Sequence, residues 1–576
     1  MKRWGTKKIE FDWSLIASRY HISLVLAELV GKRGFHNFYE MDAFLFPKLE
    51  DLQDPSGMKD FDKAVSILEQ KILNKKKIKV IGDYDVDGVM SSYILWKGLS
   101  NLGAQVSCRI PHRVKDGYGL REYMVREAYE EGCDTILTCD NGISAYDAVL
   151  AGKNLGMTVV ITDHHEVPGE GEKEKIPPAD AVVDTKQSDC QYPFKELCGA
   201  GIAYKVMEAL YRRLQKKGIQ EFLPYAALAT VCDVVPLRGE NRILVKYGLE
   251  AINQTKDIGL SALIAKQELN HAVNVGDLGF RIGPCINAAG RLSDAAKGFS
   301  LLCESNPSLA ARKAEELLAL NEQRKEMTEQ ATNQAIRMIE EMGEKQQKVF
   351  VLLLEDCHES VAGIVAGRIR EAYYRPTLIL TQGEHCLKGS GRSIPGYHMQ
   401  QEIDRCKSLL IEYGGHAMAA GFSLEEENLN AFRKKLNENC CLSEEELIER
   451  IDYDIEVSLG DITAPVVNEL ALLEPFGQEN TSPVFLCQNV KFSGIRLCGK
   501  ENQIAQIRLK DGVETFKGVD FRWEEHLYPA VVKRYGKGKW EELLQNDTCS
   551  VELDLLFSPA INDWDGSVQF VVTDCR

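Results

Sequence analysis

The chain lacks any apolar stretch long enough to cross a membrane. Its longest purely apolar run covers residues 349–354, whereas a membrane-spanning helix needs about 20 such residues. The basic start of the chain leads into the polar sequence I-E-F-D rather than an apolar segment, so it does not resemble a secretory signal. We therefore expect a cytoplasmic protein without membrane contact.

Two kinds of motif are also missing. None of the 17 cysteines is paired with another at C-x-x-C spacing, which a zinc ribbon or a dithiol redox site would need. The sequence G-x-x-x-x-G-K-[ST] is absent as well, which excludes an ATP-driven helicase built on a Walker A loop. The cysteines are expected to be reduced and mostly buried thiols.

The chain does have an ordinary globular composition with an acidic balance. Its 576 residues are 44% hydrophobic and 27% charged, and this length suggests about three to five domains. Lys and Arg number 69 against 86 Asp and Glu, a net charge of −17. This charge opposes long-range attraction of nucleic acid to the whole surface. It still allows a local basic groove, and it suits a protein that holds divalent cations among carboxylates.

The sequence pattern changes near residue 61. Residues 1–60 look like an irregular lead-in, and beyond them short β-rich runs alternate with helical stretches, as in a parallel sheet with crossover helices. The predicted strands are Ile78–Ile81, Thr135–Cys139, Met157–Thr162 and Ala181–Val183. An aspartate follows each strand within two residues: Asp83, Asp140, Asp163 and Asp184. Ligands collect at the carboxyl ends of parallel strands, so these side chains are expected to converge.

Further along, a long helix is predicted to begin at Asn306-Pro307 and to end near Gly343. It would be about 50 Å long, enough to bridge two domains. A second α/β unit follows, and then short strands that predict a small β-barrel: Val484–Leu486, Ile504–Leu509, Val551–Phe557 and Val568–Val572, the last two joined by an Asp565-Gly566 turn. The predicted order is lead-in 1–60, first α/β domain 61–300, connecting helix 301–345, second α/β domain 346–450 and barrel 451–576.

The densest cluster of candidate ligands is the sequence I-G-D-Y-D-V-D-G at residues 81–88. The carboxylates of Asp83, Asp85 and Asp87 suggest a hard divalent cation with oxygen ligands. An EF-hand loop also begins D-x-D-x-D-G, but it needs a glutamate at its twelfth position, where this chain has Ile94. A strand also precedes this cluster where an EF-hand has a helix. We therefore reject the EF-hand.

A second cluster, Asp163-His164-His165, lies at the end of the third predicted strand. Imidazole suits transition metals such as Mn²⁺ or Zn²⁺ better than Ca²⁺, so mixed Asp and His side chains favour a catalytic metal. Asp140 in C-D-N-G and Asp233 after an apolar helix are further candidates. A turn, a cap or a plain surface position is the alternative for each one alone. A carboxylate within an apolar run is costly unless it is paired, and a metal would pair it.

The order D-Y-D-V-D-G, C-D-N-G, D-H-H and a distal aspartate resembles the DHH phosphoesterase superfamily. Glycine-rich motifs narrow the resemblance to the RecJ family of single-strand-specific DNA exonucleases. These motifs are N-A-A-G-R at 287–291, G-I-V-A-G-R at 363–368, G-S-G-R-S at 389–393 and G-G-H at 414–416. Each glycine motif alone is weak, but their order and spacing together are specific.

The resemblance implies a DHH catalytic domain, a connecting helix, a DHHA1 domain and a C-terminal OB fold. It also implies a pair of Mn²⁺ or Mg²⁺ ions held by Asp83, Asp85, Asp87, Asp140, His164 and Asp233. Asp140 would bridge the two ions, Asp163 would orient a histidine, and His165 would face the scissile phosphate. Many relatives have histidine where this chain has Asp83, a departure that bears on the coordination of the first metal.

Matched positions further imply a pocket for a terminal 5′-phosphate formed by Arg109, Arg291, Ser390 and Arg392. The planar guanidinium group binds phosphate bidentately, and the small residues around Arg392 expose backbone N–H groups that form an anion nest. A solvated surface position is the alternative for a lone arginine such as Arg109. His416 is expected to contact the scissile phosphate, with a capping role as its alternative.

In the tail, residues 533–540 mix cations with aromatic side chains. Single-strand binders combine a basic track with aromatic platforms on which bases stack. We therefore predict strand contacts from Lys533, Arg534, Tyr535, Lys537, Lys539 and Trp540. The alternative is a charged hairpin tip.

The sequence thus predicts a single-stranded-DNA-specific 5′→3′ exonuclease that releases 5′-mononucleotides by two-metal-ion hydrolysis and acts in DNA repair and recombination. A phosphodiesterase for short oligoribonucleotides or cyclic dinucleotides is one alternative, although such relatives generally lack an OB fold. A non-catalytic DHH scaffold is the other, although scaffolds lose metal ligands that this chain keeps. The resemblance also suggests single-stranded DNA-binding protein and a RecQ-type helicase as partners, with a monomer as the default.

Overall fold

The computed structural model describes residues 2–6, 9, 11–113, 115–169, 174–342, 347–545, 550–562 and 565–576. The chain divides into two compact units. One unit combines residues 1–47 with residues 448–576, and the other comprises residues 48–447. The two ends of the chain thus belong to one unit, although the whole of the other unit separates them in sequence.

The N-terminal segment is helical, not irregular as predicted. After the strand β1 (Arg3–Gly5) it forms the helices α1 (Trp13–Tyr20), α2 (Leu24–Lys32) and α3 (Phe38–Leu45). Each helix follows a capping side chain, because Asp12, Ser23 and Asn37 accept hydrogen bonds from backbone N–H groups in the first turn. This succession of caps is the signal that the sequence interpretation overlooked.

The first α/β domain is built on a five-stranded parallel sheet. The strands are β2 (Lys77–Ile81), β3 (Gln105–Arg109), β4 (Thr135–Cys139), β5 (Thr158–Thr162) and β6 (Ala181–Val183), in the order β3-β2-β4-β5-β6. The surrounding helices are α4 (Phe61–Leu73), α5 (Val86–Asn101), α6 (Glu122–Glu130) and α7 (Tyr146–Asn154). The four predicted strands are confirmed to within one residue at either end. The edge strand β3 was missed because its sequence, Q-V-S-C-R, is largely polar.

More helices follow in the same domain. They are α8 (Gly199–Arg213), α9 (Leu223–Cys232), α10 (Gly239–Ile252), α11 (Ile258–Ala265), α12 (Val275–Asp277), α13 (Gly283–Leu292) and α14 (Ala296–Leu302), with a π-helical turn at Leu278–Ile282. One face of the sheet packs on α5 and on this group, where Val80 of the sheet, Leu95 of α5 and Met207 of α8 share a core. The other face packs on α6 and α7 through Met124 and Val149.

The predicted connecting helix is confirmed as α15 (Pro307–Met342), a helix of 36 residues. At 1.5 Å per residue it is about 54 Å long. Its first half contributes Ala310 and Leu317 to the core of the first α/β domain, and its second half contributes Ala335 and Ile339 to a core of the second. Gly343, the predicted end, lies outside the described residues.

The second α/β domain has a mixed five-stranded sheet in the order β10-β11-β9-β8-β7. Its elements are β7 (Phe350–Leu353), α16 (Glu359–Tyr373), β8 (Thr377–Gln382), β9 (Leu387–Arg392), α17 (Met399–Asp404), β10 (Glu412–Gly415), β11 (Ala419–Leu424) and α18 (Leu429–Asn439). Helix α16 packs against β8 and β9. On the neighbouring strands Gly414 pairs with Gly421, and Gly421 pairs with Ser390.

The C-terminal segment forms a closed barrel. Its elements are β12 (Arg450–Asp452), β13 (Ile455–Glu456), α19 (Ala464–Glu469), β14 (Phe485–Cys498), β15 (Ile504–Asp511), β16 (Glu514–Asp520), α20 (Leu527–Tyr535), α21 (Lys537–Gln545), β17 (Ser550–Ile561) and β18 (Val568–Cys575). The strands pair in the order β14-β15-β16-β18-β17, and β17 pairs with β14 to close the ring. The four predicted strands overlap β14, β15, β17 and β18, and Asp565-Gly566 lies between the last two. Strand β16, which contains Gly518, was not predicted.

The N-terminal helices pack onto this barrel within one unit. Strand β1 pairs in parallel with β12. Leu26, Val30 and Phe44 share a hydrophobic core with Phe485 and Phe557 of the barrel. Residues 1–47 of the predicted lead-in therefore belong to the barrel unit, and their helices owe much of their stability to that packing, whereas residues 48–60 belong to the other unit.

Two further predictions concerned membrane-spanning helices and the state of the cysteines. Among the described residues, no helix combines the length and the apolar character that crossing a bilayer requires. The described cysteines are free thiols, and most of them are buried.

Candidate active site

Four strands of the first α/β domain end at the same edge of the sheet, and an aspartate follows each of them. Strands β2, β4, β5 and β6 run parallel and adjacent. Asp83, Asp140, Asp163 and Asp184 are all at most 3% exposed. Burial of so many carboxylates at one place requires hydrogen-bond donors or cations nearby.

The loop after β2 presents its carboxylates in two ways. Asp85 caps α5, since its Oδ1 accepts a hydrogen bond from Gly88 N at 3.0 Å. Asp87 lies in the first turn of α5 and accepts hydrogen bonds from Gly199 N at 2.6 Å and Ala200 N at 2.7 Å, at the N-terminus of α8. Gly88 is required because a Cβ there would lie 2.4 Å from the carbonyl oxygen of Asp83. Burial, and then the charge of Asp85, raises the pKa of Asp87 to about 6.

The predicted metal ligands lie together around His164. Its Nε2 is 3.0 Å from Asp140 Oδ1, 3.5 Å from Asp87 Oδ2 and 3.7 Å from Asp233 Oδ2. Asp233, the C-cap of α9, reaches this cluster from outside the sheet. Ligand atoms within 4.8 Å of one another form three groups: Asp87, His164 and Asp233; Asp83, Asp85 and Asp140; and Asp140, His164 and His165. We call the six carboxylate and imidazole side chains of the first two groups the ligand cluster.

Several features of the ligand cluster fit a pair of divalent cations. Among the described residues no hydrogen-bond partner reaches the buried Oδ1 of Asp83. Burial, and then the charge of Asp87, raises the pKa of Asp140 well above its ordinary value. Burial lowers the pKa of His164 to about 3, so its ring is neutral and its lone pair is available to a metal. Oxygen donors with one imidazole are the donor set that Mn²⁺ accepts and Mg²⁺ tolerates.

His165 is held by a second hydrogen-bonded group beside the cluster. Asp163 Oδ1 lies 2.7 Å from His165 Nδ1, while Asp163 Oδ2 accepts a hydrogen bond from Ile143 N at 2.9 Å. Although burial disfavours the charged ring, the hydrogen bond to Asp163 raises the pKa of His165 to about 9. The Tyr118 hydroxyl lies 3.0 Å from the same Nδ1 and donates to the carbonyl oxygen of Asp140 at 3.3 Å. Tyr118 was not predicted from the sequence.

Three arginines gather beside the ligand cluster, and one of them was not predicted. Arg291 donates to the carbonyl oxygen of Ser360 at 2.6 Å, and Arg392 donates to that of Gly391 at 2.8 Å. Arg113 lies over the ring of Tyr84 at 4.8 Å. Burial, and then the nearby charge of Arg113, lowers the pKa of Arg291 to about 10. Burial lowers the pKa of Arg392 as well, with Arg370 and Arg113 adding to the effect.

Arg109, which was predicted to line the 5′-phosphate pocket, contacts side chains of its own domain instead. It forms an ion pair with Glu127, lies 3.9 Å from Asp116 Oδ2 and covers the ring of Tyr123 at 5.2 Å. Arg109 is the last residue of the edge strand β3, whereas Arg113 lies in the loop beyond it. Because β3 was not recognised, the sequence R-I-P-H-R could not show which of its two arginines faces the site.

A cleft of about 1140 Å³ separates the two α/β domains at this point. Tyr84, Arg113 and Tyr118 line one wall, and Ser360 and Ser390 line the other. Ser390 lies next to Arg392, since its Oγ is 3.3 Å from Arg392 Nη1. The glycine motif of α16 makes room for this pair, because a Cβ on Gly363 would lie 2.8 Å from Arg392 Nη2.

Two other predicted site regions lie outside these contacts. His416 is exposed in the turn between β10 and β11, where its backbone N–H donates to Ala419 O. Residues 533–540 form the end of α20 and the start of α21, so the alternative of a hairpin tip is wrong. The prediction for Trp540 as a stacking platform is also wrong. It is 5% exposed, and its ring stacks on Trp523 at 5.3 Å inside the barrel unit.

The other residues of this segment lie on the outer side of the two helices. Tyr535 is 39% exposed, and its hydroxyl donates to the carbonyl oxygen of Glu552 at 2.9 Å. Arg534 lies over the ring of Tyr535 at 5.6 Å. Lys539 forms an ion pair with Glu542 at 3.0 Å. Strand contacts from these residues, and from Lys533 and Lys537, stay predictions.

Comparison with protein-family models identifies the parts of this arrangement. The model described as DHH family, N-terminal domain, matches residues 77–230. The DHHA1 domain matches residues 346–440, and the RecJ OB domain matches residues 453–574. Fold and site together therefore define a DHH phosphoesterase with a DHHA1 domain and an OB-fold barrel, which confirms the predicted fold class.

Within that class the chain belongs to the RecJ family. It is 33% identical over 576 residues to the single-stranded-DNA-specific exonuclease RecJ of Salmonella typhimurium, covering 96% of this chain and 95% of the relative. The Bacillus subtilis protein of the same name is 36% identical over 516 residues, which cover 88% of this chain but 64% of the relative. The crystal structure of RecJ from Thermus thermophilus in complex with Mn²⁺ matches with a TM-score of 0.81 at 29% identity, covering 100% of this chain and 79% of that chain.

Proposed function

We propose that this chain is a metal-dependent exonuclease specific for single-stranded DNA, which removes 5′-mononucleotides in the 5′→3′ direction. The observation that carries the proposal is the position of two clusters of opposite charge beside one cleft. The ligand cluster is anionic, and Arg113, Arg291 and Arg392 are cationic. The 5′ end of a DNA strand can bind to both clusters. Its terminal phosphate would bind to the arginines, and its next phosphodiester would bind to cations held by the ligand cluster.

The ligand cluster would hold two divalent cations, Mn²⁺ or Mg²⁺, the ions found in complex with the Thermus thermophilus protein. Such ions supply a nucleophile at neutral pH and neutralise charge on the phosphodiester. Asp87, His164 and Asp233 would hold one ion, and Asp83 and Asp85 the other, with Asp140 shared between them. His165, kept protonated by Asp163, would donate a hydrogen bond to the phosphate as charge develops on it.

We call Arg113, Arg291 and Arg392 the arginine pocket. This pocket would set both the direction of degradation and the length of the released product. A strand whose 5′-phosphate rests on Arg291 and Arg392 places its first internal phosphodiester toward the ligand cluster. Arg291 links the two sides directly, because it belongs to α13 and donates to Ser360 of the second α/β domain. Cleavage at that position releases one nucleotide and leaves a new 5′-phosphate for the next cycle.

The two alternatives remain distinguishable in principle. A phosphodiesterase for short oligoribonucleotides or cyclic dinucleotides would not need a barrel domain, whereas this chain has one that matches the RecJ OB domain. A non-catalytic scaffold would not need to keep six potential ligands within a few ångströms of one another, as the ligand cluster does. The exonuclease accounts for both features.

The test uses single-stranded DNA labelled at the 5′ or the 3′ end, with Mn²⁺ or with EDTA. We expect rapid release of a labelled mononucleotide from the 5′ end, its loss in EDTA, and no early mononucleotide from the 3′ label. Release from the 3′ label first would overturn the direction. Hydrolysis of dinucleotides alone would favour the phosphodiesterase, and inertness toward every substrate would favour the scaffold.

We extend the proposal to the cellular setting on the strength of family membership. The chain would act on DNA in the cytoplasm, as a monomer, during repair and recombination. Single-stranded DNA-binding protein and a RecQ-type helicase are the proposed partners, since an exonuclease that needs single strands depends on proteins that expose and hold them. Pull-down of each purified partner by the full chain would test these contacts.

A further inference from the structure

A large aromatic side chain is exposed on a rare type of turn near the active site. Phe280 is 82% exposed and lies in the π-helical turn Leu278–Ile282, between α12 and α13. Turns of this type are uncommon and are often found at functional sites. A phenyl ring that is so fully exposed to solvent contributes little to the stability of the fold, and it is free to contact a ligand.

A second exposed apolar residue lies next to the same turn. Val234 directly follows the predicted ligand Asp233; it is 63% exposed and has a φ of 60°. A β-branched residue in the left-handed region is strained, and such strain gathers at functional sites. The turn packs on the end of α9, since Cys232 Sγ lies 3.5 Å from the carbonyl oxygen of Leu278. We call Val234 and Phe280 the apolar lip.

Helix α13 gives the lip a position relative to the site. The π-helical turn leads directly into α13, and Phe280 lies three residues before the first residue of the helix. In the middle of the helix, Asn287 Oδ1 accepts a hydrogen bond from Val86 N in the ligand loop at 3.2 Å. In the last turn, Arg291 reaches Ser360 on the far side of the cleft. The apolar lip, the ligand loop and the arginine pocket therefore follow one another along the axis of α13, with about 16 Å between Phe280 and Arg291.

This order assigns the lip to one side of the scissile phosphate. If the 5′-phosphate rests at the Arg291 end and cleavage occurs beside the ligand loop, the rest of the strand leaves toward the start of α13. We propose that Phe280 stacks on a base on the 3′ side of the scissile phosphate and so holds the incoming strand. Val234, two residues beyond the contact that Cys232 makes with the turn, is the second apolar side chain of the lip. The inference rests on the proposed exonuclease function and adds a positioning residue to it.

Base stacking on an aromatic side chain suits this task, because every base has a π-face and the contact tolerates any sequence. Removal of such a contact weakens strand binding by about 5-fold to 150-fold. When an interaction is made equally in the bound strand and in the transition state, its loss raises KM and leaves kcat unchanged. The effect of Phe280→Ala should therefore appear in KM.

The experiment compares the full-length chain with Phe280→Ala, Phe280→Trp and a matched control, Tyr39→Ala. Tyr39 is also 82% exposed but belongs to α3, in the other unit. The substrates are 5′-phosphorylated oligodeoxynucleotides, either intact or with one abasic site at a single position among the first six nucleotides. Initial rates of mononucleotide release with Mn²⁺ give kcat and KM, and thermal melting checks that each variant folds.

We expect Phe280→Ala to raise KM by at least about 5-fold with kcat nearly unchanged, Phe280→Trp to restore it, and Tyr39→Ala to match the parent. In the parent chain one abasic position should raise KM, and in Phe280→Ala that same position should have no further effect. A KM for Phe280→Ala equal to that of the control, or an abasic penalty that persists in this variant, would overturn the inference. A parent chain that releases no nucleotide from any strand would refute the proposed function itself.

Discussion

Two groups of buried charges lie in the first α/β domain, and they are built differently. In the first, Lys205 Nζ lies 2.5 Å from Glu240 Oε1 and donates to the carbonyl oxygen of Gln53 at 2.8 Å. The Tyr192 hydroxyl donates to Glu240 Oε2, and the backbone N–H of Gln53 donates to Oε1 at 2.8 Å. Each charge has a partner of opposite sign or a hydrogen-bond donor, so the group is complete within the protein.

The second group, the ligand cluster, sets carboxylates against one another. Among the described residues, no Lys or Arg forms an ion pair with Asp83, Asp140 or Asp233. The neutral His164 lies nearest to the last two, and the protonated ring of His165 comes only to 3.9 Å from Asp140 Oδ1. Burial raises the pKa of all three carboxyls well above their ordinary values. Such an arrangement is unfavourable by itself, and a fold keeps it where a ligand completes it.

The difference separates structural from functional burial of charge. Glu240 and Asp140 are both buried carboxylic acids, and their exposure does not tell them apart. The charge of the neighbouring side chains distinguishes them, because Glu240 faces a lysine whereas Asp140 faces other carboxylates. The same test divides the arginines, because Arg109 faces acids whereas Arg113, Arg291 and Arg392 face one another.

The largest expected effect is on Asp140, the proposed shared ligand of the two ions. Asp140→Asn should lower the rate of nucleotide release by at least about 10³-fold, more than the 10-fold to 100-fold typical of residues that only support a metal ligand. Because the change also removes like-charge repulsion, melting in EDTA should not fall. Nuclease assays with Mn²⁺ and thermal melting measure the two effects. Asp147→Asn, at an exposed position of α7, is the control; a variant at Asp140 with a tenth of the parent rate would remove this residue from the cluster.

For the buried pair Lys205 and Glu240 we expect the opposite result, a loss of stability without a loss of activity. Glu240→Gln leaves Lys205 buried without a countercharge and should lower the free energy of unfolding by about 3–5 kcal/mol. Activity per folded molecule should stay close to the parent value. Replacement of both partners, Lys205→Met with Glu240→Leu, should recover part of the lost stability. A Glu240→Gln chain that melts normally but has lost its nuclease activity would contradict the assignment of this group as structural.

The arginines offer a pair of variants only four positions apart. Arg113→Ala should reduce the preference for a 5′-phosphate over a 5′-hydroxyl end by about 10-fold to 100-fold, the range for loss of a hydrogen bond to a charged group. Arg109→Ala should keep the preference and lose at most about 1 kcal/mol of stability, because its ion pair is partly exposed. Rates on the two substrates measure the preference. The reverse result would return the pocket to Arg109.

Sequence reasoning located most of the ligand cluster because its physics is local. A buried strand followed by an aspartate is visible in four short segments, and parallel strands bring their carboxyl ends together. The connecting helix was visible for the same reason, since Asn306 and Pro307 start it and helical residues continue it. Asp233 was the exception that needed both a buried charge and a resemblance to be found.

What the sequence could not show depends on contacts between distant segments. Whether Trp540 meets a base or a protein ring depends on Trp523, in another part of the barrel. The helices before residue 48 are stabilised by a barrel that begins some 400 residues later. Arg113 is placed by an edge strand whose polar sequence gave little warning. In each case the missing information was the partner, not the residue.

The smallest effect concerns Asp184, the fourth aspartate at the sheet edge. Burial, and then the charge of Asp163, raises the pKa of Asp184 to about 8, while its Oδ1 accepts a hydrogen bond from Lys186 N at 2.8 Å. A folded-state pKa above the unfolded value of about 3.9 means that the folded chain holds the proton more tightly. The stability contributed by this group is therefore full below about pH 4 and is lost as the pH rises through about 8.

Asp184→Asn removes that dependence and keeps an acceptor for Lys186 N. Its melting temperature in EDTA should equal the parent's near pH 4 and exceed it at pH 8, by on the order of 4 °C. Nuclease activity should fall no more than about 10-fold, because Asp184 belongs to none of the groups that gather ligand atoms. Melting curves across this pH range, with nuclease rates beside them, decide the case. A loss of activity as deep as that of Asp140→Asn would place Asp184 among the ligands and extend the incomplete group of charges to all four strands.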